Sequence, residues 1–296
     1  MRIILAKHMG WCFGVRDAVA LVKQHAQRGS VTIVGDLVHN AAVNAELQAR
    51  GVRFVQAASQ IATVTAIVSA HGASVAAHQQ IRERATTIVD ATCSLVQAAH
   101  RAVLQLVAAG FYPVIIGQRE HVEVRGLTGD LAEYGVVLAR EEVRQLPRRK
   151  RYGVVAQTTQ PIDRVRELVE IIRQRFSEAE VRFVDTVCQP TKQRQHAALE
   201  LAPQCDVMVV VGGAQSNNTR ELVDTCMQHC PRVVRIESAD ELERGWFANA
   251  SAVGITAGTS TPDETIDAVA DWLAALAGDI YETTDHVRAA AVGSHS

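Results

Sequence analysis

The chain alternates short, nearly continuous apolar runs with longer stretches whose apolar positions recur every three or four residues. The first pattern is that of strands buried on both faces of a parallel sheet; the second is that of amphipathic helices packed against it. After the run Ile3-Ile4-Leu5-Ala6, the spacing predicts a helix over 15–27, a strand V-T-I-V ending at Gly35, and the polar loop D-L-V-H-N. A second strand, T-A-I-V-S-A, enters the loop His71-Gly72-Ala73-Ser74, and a helix over 75–85 leads to the run I-V-D-A-T-C, which closes on Cys93. The order then returns. A helix over 96–109 leads to Y-P-V-I-I-G, the loop Q-R-E-H-V-E-V-R-G, the strand Y-G-V-V-A-Q, a helix over 162–176 and the run F-V-D-T-V-C, closing on Cys188. A third copy comprises a helix near 194–202, the strand V-M-V-V-V-G-G, a polar loop at 214–219, the strand A-V-G-I-T-A and a closing helix from Asp263 to Ala277.

Three copies of one order predict three similar α/β units around an approximate threefold axis. Their expected limits are 1–93, including the N-terminal strand and Cys12; 94–188; and 189–280, with a tail over 281–296 that carries no periodicity. Ligands of α/β sheets gather outside the carboxyl ends of the strands, so inward-facing ends would bring the polar loops and the cysteines to one cavity. The plainer alternative is two doubly wound domains whose strands happen to match.

Composition narrows the class. An aromatic content of 4% with abundant Val, Ala and Ile suits an alternating α/β protein. A net charge of −2 supplies no general attraction to nucleic acid or anionic membrane, so any anion site must be local. Six cysteines in 296 residues are too dilute for a disulfide framework, and the N-terminus lacks the apolar core of a secretion signal. No stretch reaches the roughly 18 apolar residues needed to span a bilayer. The expected compartment is the cytoplasm, where thiols stay reduced.

Cys12, Cys93 and Cys188 each follow an apolar run, which suggests strands delivering three thiols to one metal centre. The alternative is three buried cysteines acting as small hydrophobes. Three thiolates can hold zinc or an iron-sulfur cluster. The lack of C-x-x-C spacing and of a fourth thiol at an equivalent position fits a [4Fe-4S] cluster with one iron not held by cysteine, able to act as a Lewis acid and to pass electrons. Cys205, Cys226 and Cys230, all in the third unit, read as packing. The strand-end loops supply His39, His71, His121, Thr158, Ser216, Asn217, Asn218 and Ser260, a set of donors suited to a diphosphate. Two of these loops open helices, whose free amides favour anions. Glu123 is the acid centred among them, placed to protonate a leaving oxygen. It could equally be a surface carboxylate paired with Arg119 or Arg125.

These residues lie in motifs that resemble a known family. C-F-G-V at Cys12, V-H-N at Val38, H-G-A-S at His71, D-A-T-C at Cys93, H-V-E-V-R-G at His121, Q-T-T at Gln157, the Cys188 strand, S-N-N-T at Ser216 and A-G-T-S-T-P at Ala257 are similar, in order, to the LytB family of 4-hydroxy-3-methylbut-2-enyl diphosphate reductases. The resemblance runs from about residue 1 to 280. It implies a trefoil of three α/β domains around a central, oxygen-sensitive iron-sulfur cluster, acting in the last step of the non-mevalonate isoprenoid pathway. It implies Cys12, Cys93 and Cys188 as cluster ligands. The implied diphosphate grip is His39, His71, Ser216, Asn217, Asn218 and Ser260, helped by His121. Thr158 and Glu123 would sit by the substrate hydroxyl, Glu123 relaying the proton, with a ferredoxin or flavodoxin as electron donor.

The chain departs from the family pattern at Asn217, where Ser is common, at Ser94, where Pro is frequent, and in Q-P-T-K-Q-R-Q after Cys188. Asn still donates to phosphate, whereas the other changes flank a cluster ligand and bear on its exposure or potential. Two other functions remain compatible with the residues. One is an iron-sulfur hydro-lyase acting on a hydroxy acid, which would call for Arg in the cavity. The other is a non-catalytic cluster sensor, which would need no acid there.

Overall fold

The computed structural model describes residues 1–278 and 282–283. The chain opens with β1 (Arg2–Leu5), α1 (Phe13–Ala26), β2 (Val31–Val34), α2 (Ala41–Ala49), β3 (Arg53–Val55), β4 (Thr65–Val68), α3 (Val75–Arg82) and β5 (Thr87–Asp90). It continues through α4 (Ser94–Ala108), β6 (Tyr112–Ile116), α5 (Val122–Thr128), β7 (Gly135–Val137), α6 (Arg140–Val143), β8 (Arg151–Ala156), α7 (Ile162–Arg175) and β9 (Glu180–Phe183). The last part holds α8 (Gln189–Leu201), β10 (Val207–Val211), α9 (Asn217–Met227), β11 (Val233–Ile236), β12 (Ala252–Ala257), α10 (Asp263–Ala277) and β13 (Glu282–Thr283).

The strands form three sheets, ordered β3-β2-β4-β5, β7-β6-β8-β9 and β11-β10-β12-β1-β13. All of their pairings are parallel. The expected α/β class and the expected number of sheets are therefore present. One boundary is corrected. The N-terminal strand pairs with β12, Arg2 opposite Ala252 and Leu5 opposite Ile255, and so completes the third sheet rather than the first unit. Ile3, Ile4 and Leu5 are nearly inaccessible there and cover the edge of β12 that a fourth strand must cover. The chain accordingly divides into two compact units. One is residues 1–11 with the chain from Lys192 onward, and the other is Cys12–Thr191, which contains the first two sheets. The expected tail over 281–296 lies outside the described residues apart from Glu282 and Thr283.

Burial on both faces explains why the central strands read as continuous apolar runs. Along β10, Val207, Val209 and Val211 enter one core cluster while Met208 and Val210 enter another on the opposite face. Along β6, Tyr112, Val114 and Ile116 face one cluster and Ile115 the other. Cys205, Cys226 and Cys230 are packed in the core beside Met208, Val210 and Leu222. Burial pushes Cys205 and Cys226 up to about 12, which keeps both protonated and unreactive. The second sheet packs tightly against α4 at Gly153, where a Cβ would lie 2.8 Å from Leu106 Cβ and 3.0 Å from Phe111 Cβ. Gly153→Val is expected to lose about 1–3 kcal/mol by overpacking, seen as a lower urea midpoint with an unchanged m-value.

Candidate active site

Two of the three thiols are presented by a repeated turn beyond a strand end. The expectation that the strands themselves run to the cysteines is corrected, since β5 stops at Asp90 and β9 at Phe183. Asp90 Oδ1 accepts from the Thr92 N–H at 2.9 Å, and Asp185 Oδ1 accepts from the Val187 N–H at 3.1 Å. These side-chain turns end the extended backbone and account for Asp-x-x-Cys in both copies. Each cysteine N–H then donates to a carbonyl two residues past the neighbouring strand: Cys93 to Ala70, at 3.1 Å, and Cys188 to Thr158, at 2.9 Å.

A helix starts at each cysteine. Cys12 and Cys93 are the caps of α1 and α4, and α8 begins at the residue after Cys188. Free amides of a first helical turn favour a thiolate, and amides of Leu95 and Val96 do so at Cys93. Burial outweighs them, raising Cys93 and pushing Cys188 up to about 11 despite the Thr191 hydroxyl 3.0 Å from its sulfur. Thiols so placed give up their protons to a metal rather than to water at neutral pH. Gly14 lets α1 approach closely, because a Cβ there would lie 2.4 Å from Cys93 Sγ. Cys93 and Cys188 both feel the charges of Cys12 and Glu123, so the three thiols and this acid share one neighbourhood. Among the described residues, no three His, Cys, Asp or Glu side chains are grouped to hold a metal ion. Three thiols carried on separate segments are a donor set that fits an iron-sulfur cluster, whose separate irons each take a thiolate.

The loops of the first two sheets bring three imidazoles together. The ring centres of His39 and His71 are 4.2 Å apart, those of His39 and His121 5.0 Å, and those of His71 and His121 5.8 Å. Burial, reinforced by the neighbouring imidazoles, holds His71 well below the ordinary histidine pKa. Its Nδ1 is shielded from solvent and has no hydrogen-bond partner. An anion entering this cluster would meet ring nitrogens that its charge would help to protonate.

Glu123 is buried, and its backbone N–H donates to His121 Nδ1 at 3.1 Å. Thr158 donates to both carboxylate oxygens, from its N–H at 2.7 Å and from its hydroxyl at 3.0 Å. Burial raises the carboxyl to about 7 although the Thr158 bonds pull the other way. The alternative of a surface ion pair is thereby excluded: Arg125 is exposed, and Arg119 Nη2 donates to the Val136 carbonyl.

The remaining candidates lie in the third sheet. Ser216 caps α9, its hydroxyl accepting from the Thr219 N–H at 3.3 Å, and Asn217 and Asn218 are buried in the first turn. Asn218 Oδ1 accepts from the Thr259 N–H at 3.0 Å, and its Nδ2 is a buried donor with no protein partner. Ser260 is buried next in sequence to Thr259. Gly212 and Gly258 make room for Thr219, whose Oγ1 would be 2.5 Å and 2.2 Å from a Cβ at those positions.

Two residues with a part in this geometry carry no role in the sequence reading. Gln157 Oε1 accepts from the Gln118 N–H at 3.0 Å and ties the loops after β6 and β8 together. Thr191 holds the Cys188 sulfur. Both stand inside the quoted motifs, but polarity alone does not distinguish a loop tie from a solvated side chain.

The chain as a whole is similar to known proteins. A family model described as LytB protein matches residues 3–274. The 4-hydroxy-3-methylbut-2-enyl diphosphate reductase of Trichlorobacter lovleyi is 38% identical over 275 residues, covering 91% of this chain and 96% of that protein. The protein of the same name from Aquifex aeolicus is 36% identical over 273 residues, covering 90% and 94%. Among solved structures, the E-1-hydroxy-2-methyl-but-2-enyl-4-diphosphate reductase from Plasmodium falciparum matches with a TM-score of 0.85 at 26% identity, covering 92% of this chain and 88% of that one. A structure of (E)-4-hydroxy-3-methyl-but-2-enyl diphosphate reductase, the terminal enzyme of the non-mevalonate pathway, matches with a TM-score of 0.66 at 35% identity, covering 92% and 99%.

The raised Glu123 carboxyl makes folding take up a proton between its ordinary value of 4.5 and about 7. Its contribution to stability is therefore greatest below pH 4.5 and is lost as pH rises through about 7. The loss is on the order of 3 kcal/mol. In denaturant unfolding of the metal-free protein, Glu123→Gln should remove this slope; an unchanged slope would place the titration elsewhere.

Proposed function

The chain belongs to the LytB family, and from that premise we propose that it reductively removes the hydroxyl of (E)-4-hydroxy-3-methylbut-2-enyl diphosphate. The products are isopentenyl and dimethylallyl diphosphate, and the reaction is the last step of the non-mevalonate isoprenoid pathway. The observation that carries the reading is the buried carboxyl of Glu123, able to hold a proton at neutral pH and tied through Thr158 to the backbone of Cys188.

Membership implies an iron-sulfur cluster, and Cys12, Cys93 and Cys188 are the residues that would hold it as a [4Fe-4S] centre. Bound there, with one iron free of cysteine, it supplies Lewis acidity and single-electron transfer. The overall change takes up two electrons and two protons and releases water. Glu123 delivers one proton to the leaving oxygen, and Thr158, whose hydroxyl and N–H fix the carboxyl, orients it. The other proton goes to either end of the allylic unit, which gives the two products. His39, His71 and His121 with Ser216, Asn217, Asn218 and Ser260 hold the diphosphate by hydrogen bonds. Asn218 Nδ2 is a buried donor awaiting an acceptor, and Asn217 keeps donor capacity where the family often has Ser.

A ferredoxin or flavodoxin serves as the electron donor, and the enzyme works in the cytoplasm. No helix among the described residues is long and apolar enough to cross a membrane. A hydro-lyase acting on a carboxylate is less well supported, because of the three loop arginines Arg119 is engaged with Val136 and Arg125 faces solvent, which leaves Arg220, half-buried in the first turn of α9.

Anaerobically purified protein is expected to turn over the hydroxymethylbutenyl diphosphate with a reduced dye; an intact cluster without turnover would refute the reading. In steady-state kinetics, Glu123→Gln should lower kcat about 10²–10³-fold, with diphosphate affinity changed less than about threefold. Equal losses in both would make Glu123 a binding residue.

A further inference from the structure

The arm leading to Cys12 is held at one peptide. Gly10 adopts a left-handed φ of +70°, and a Cβ there would lie 2.6 Å from Ile266 Cδ1, so neither its conformation nor its surroundings accept a side chain. Its N–H donates to the Ala257 carbonyl at 3.1 Å. Its carbonyl accepts from Arg194 Nε at 3.0 Å and from Nη2 at 2.6 Å, and Nη2 also donates to the Trp11 carbonyl at 3.0 Å. Arg194 itself is buried. A planar guanidinium gripping two successive carbonyls fixes direction as well as distance, which a lysine cannot do with a single ammonium.

Arg194 lies on α8, the helix that begins immediately after Cys188 and whose first turn supplies Thr191 to the Cys188 sulfur. Arg194 is six positions after Cys188, about 9 Å of helix rise. The helix that follows one cysteine thus bears, in its second turn, the side chain that grips the two residues immediately preceding another. We propose that Arg194 is a positioning residue for the cluster, setting through Gly10 and Trp11 the direction in which Cys12 is offered and so the retention of the metal. This rests on the reading of Cys12 as a ligand. Groups that orient the ligands of a metal weigh heavily in its affinity even without touching it.

The test uses the full-length protein loaded with its cluster anaerobically, with bleaching by an iron chelator followed by absorbance. Arg194→Gln should lose its cluster about tenfold faster than the unaltered protein or more, with an altered electron paramagnetic resonance signal after reduction. Arg194→Lys, which keeps the charge but not the fork, should fall between the two. Bleaching of both variants within about twofold of the unaltered protein, with the same signal, would overturn the proposal even if the melting temperature of the metal-free variants drops. Cys12→Ser separates the two levels of inference. Full cluster retention in that variant would defeat the ligand assignment itself, whereas loss of the cluster there with unchanged Arg194 variants would defeat only the positioning role.

Discussion

The candidate site depends on the three polar atoms of Thr158. Its N–H and hydroxyl hold the two oxygens of Glu123, and its carbonyl receives the N–H of Cys188. The proton-holding carboxyl and Cys188, which we propose as a metal ligand, are thereby fixed to one residue at the carboxyl end of β8. Because Glu123 is buried, the two hydrogen bonds stand in for solvent without fully offsetting the cost of a buried charge, and the carboxyl keeps its proton near neutrality. Removing either the burial or the bonds would return Glu123 to an ordinary acid or leave a buried polar group unmatched.

That arrangement follows from parallel topology. Strands buried on both faces put their backbone ends, not their side chains, at the disposal of chemistry, and Ala70 and Thr158 play the same part beyond β4 and β8. Each offers a carbonyl to a cysteine N–H in the next segment. Asp90 and Asp185 make the same turn ahead of those cysteines. In the third sheet the place beside β12 is taken by β1, which comes from the other end of the chain, and the residues after it lead to Cys12.

Much of this was legible in the sequence, for physical reasons that differ by element. Central strands such as β6, β8, β10 and β12 appear as unbroken apolar runs because both faces are covered, and α4, α7 and α10 carry clear helical spacing. Edge strands escaped notice: β3, β7 and β11 are short, and β3 and β11 are only half-buried, with Arg53 and Arg235 inside them. The membership of β1 in the third sheet could not be read either, since a pattern of apolar residues does not name its partner. The grouping of Glu123 with Thr158 and the absence of its suspected arginine pair required the burial of α5, where exposed Arg125 and buried Glu123 are two residues apart. The third sheet's cysteines read as packing, and they lie in the core.

The most direct test of the central claim, that separate strand-end turns deliver one sulfur each to a common cluster, is anomalous scattering at the iron edge from crystals grown without oxygen. The expected result is one compact iron peak bonded to Cys12, Cys93 and Cys188, with none at Cys205, Cys226 or Cys230. Iron bound at the buried cysteines of the third sheet, or bonded to fewer than three of the expected sulfurs in active protein, would contradict it.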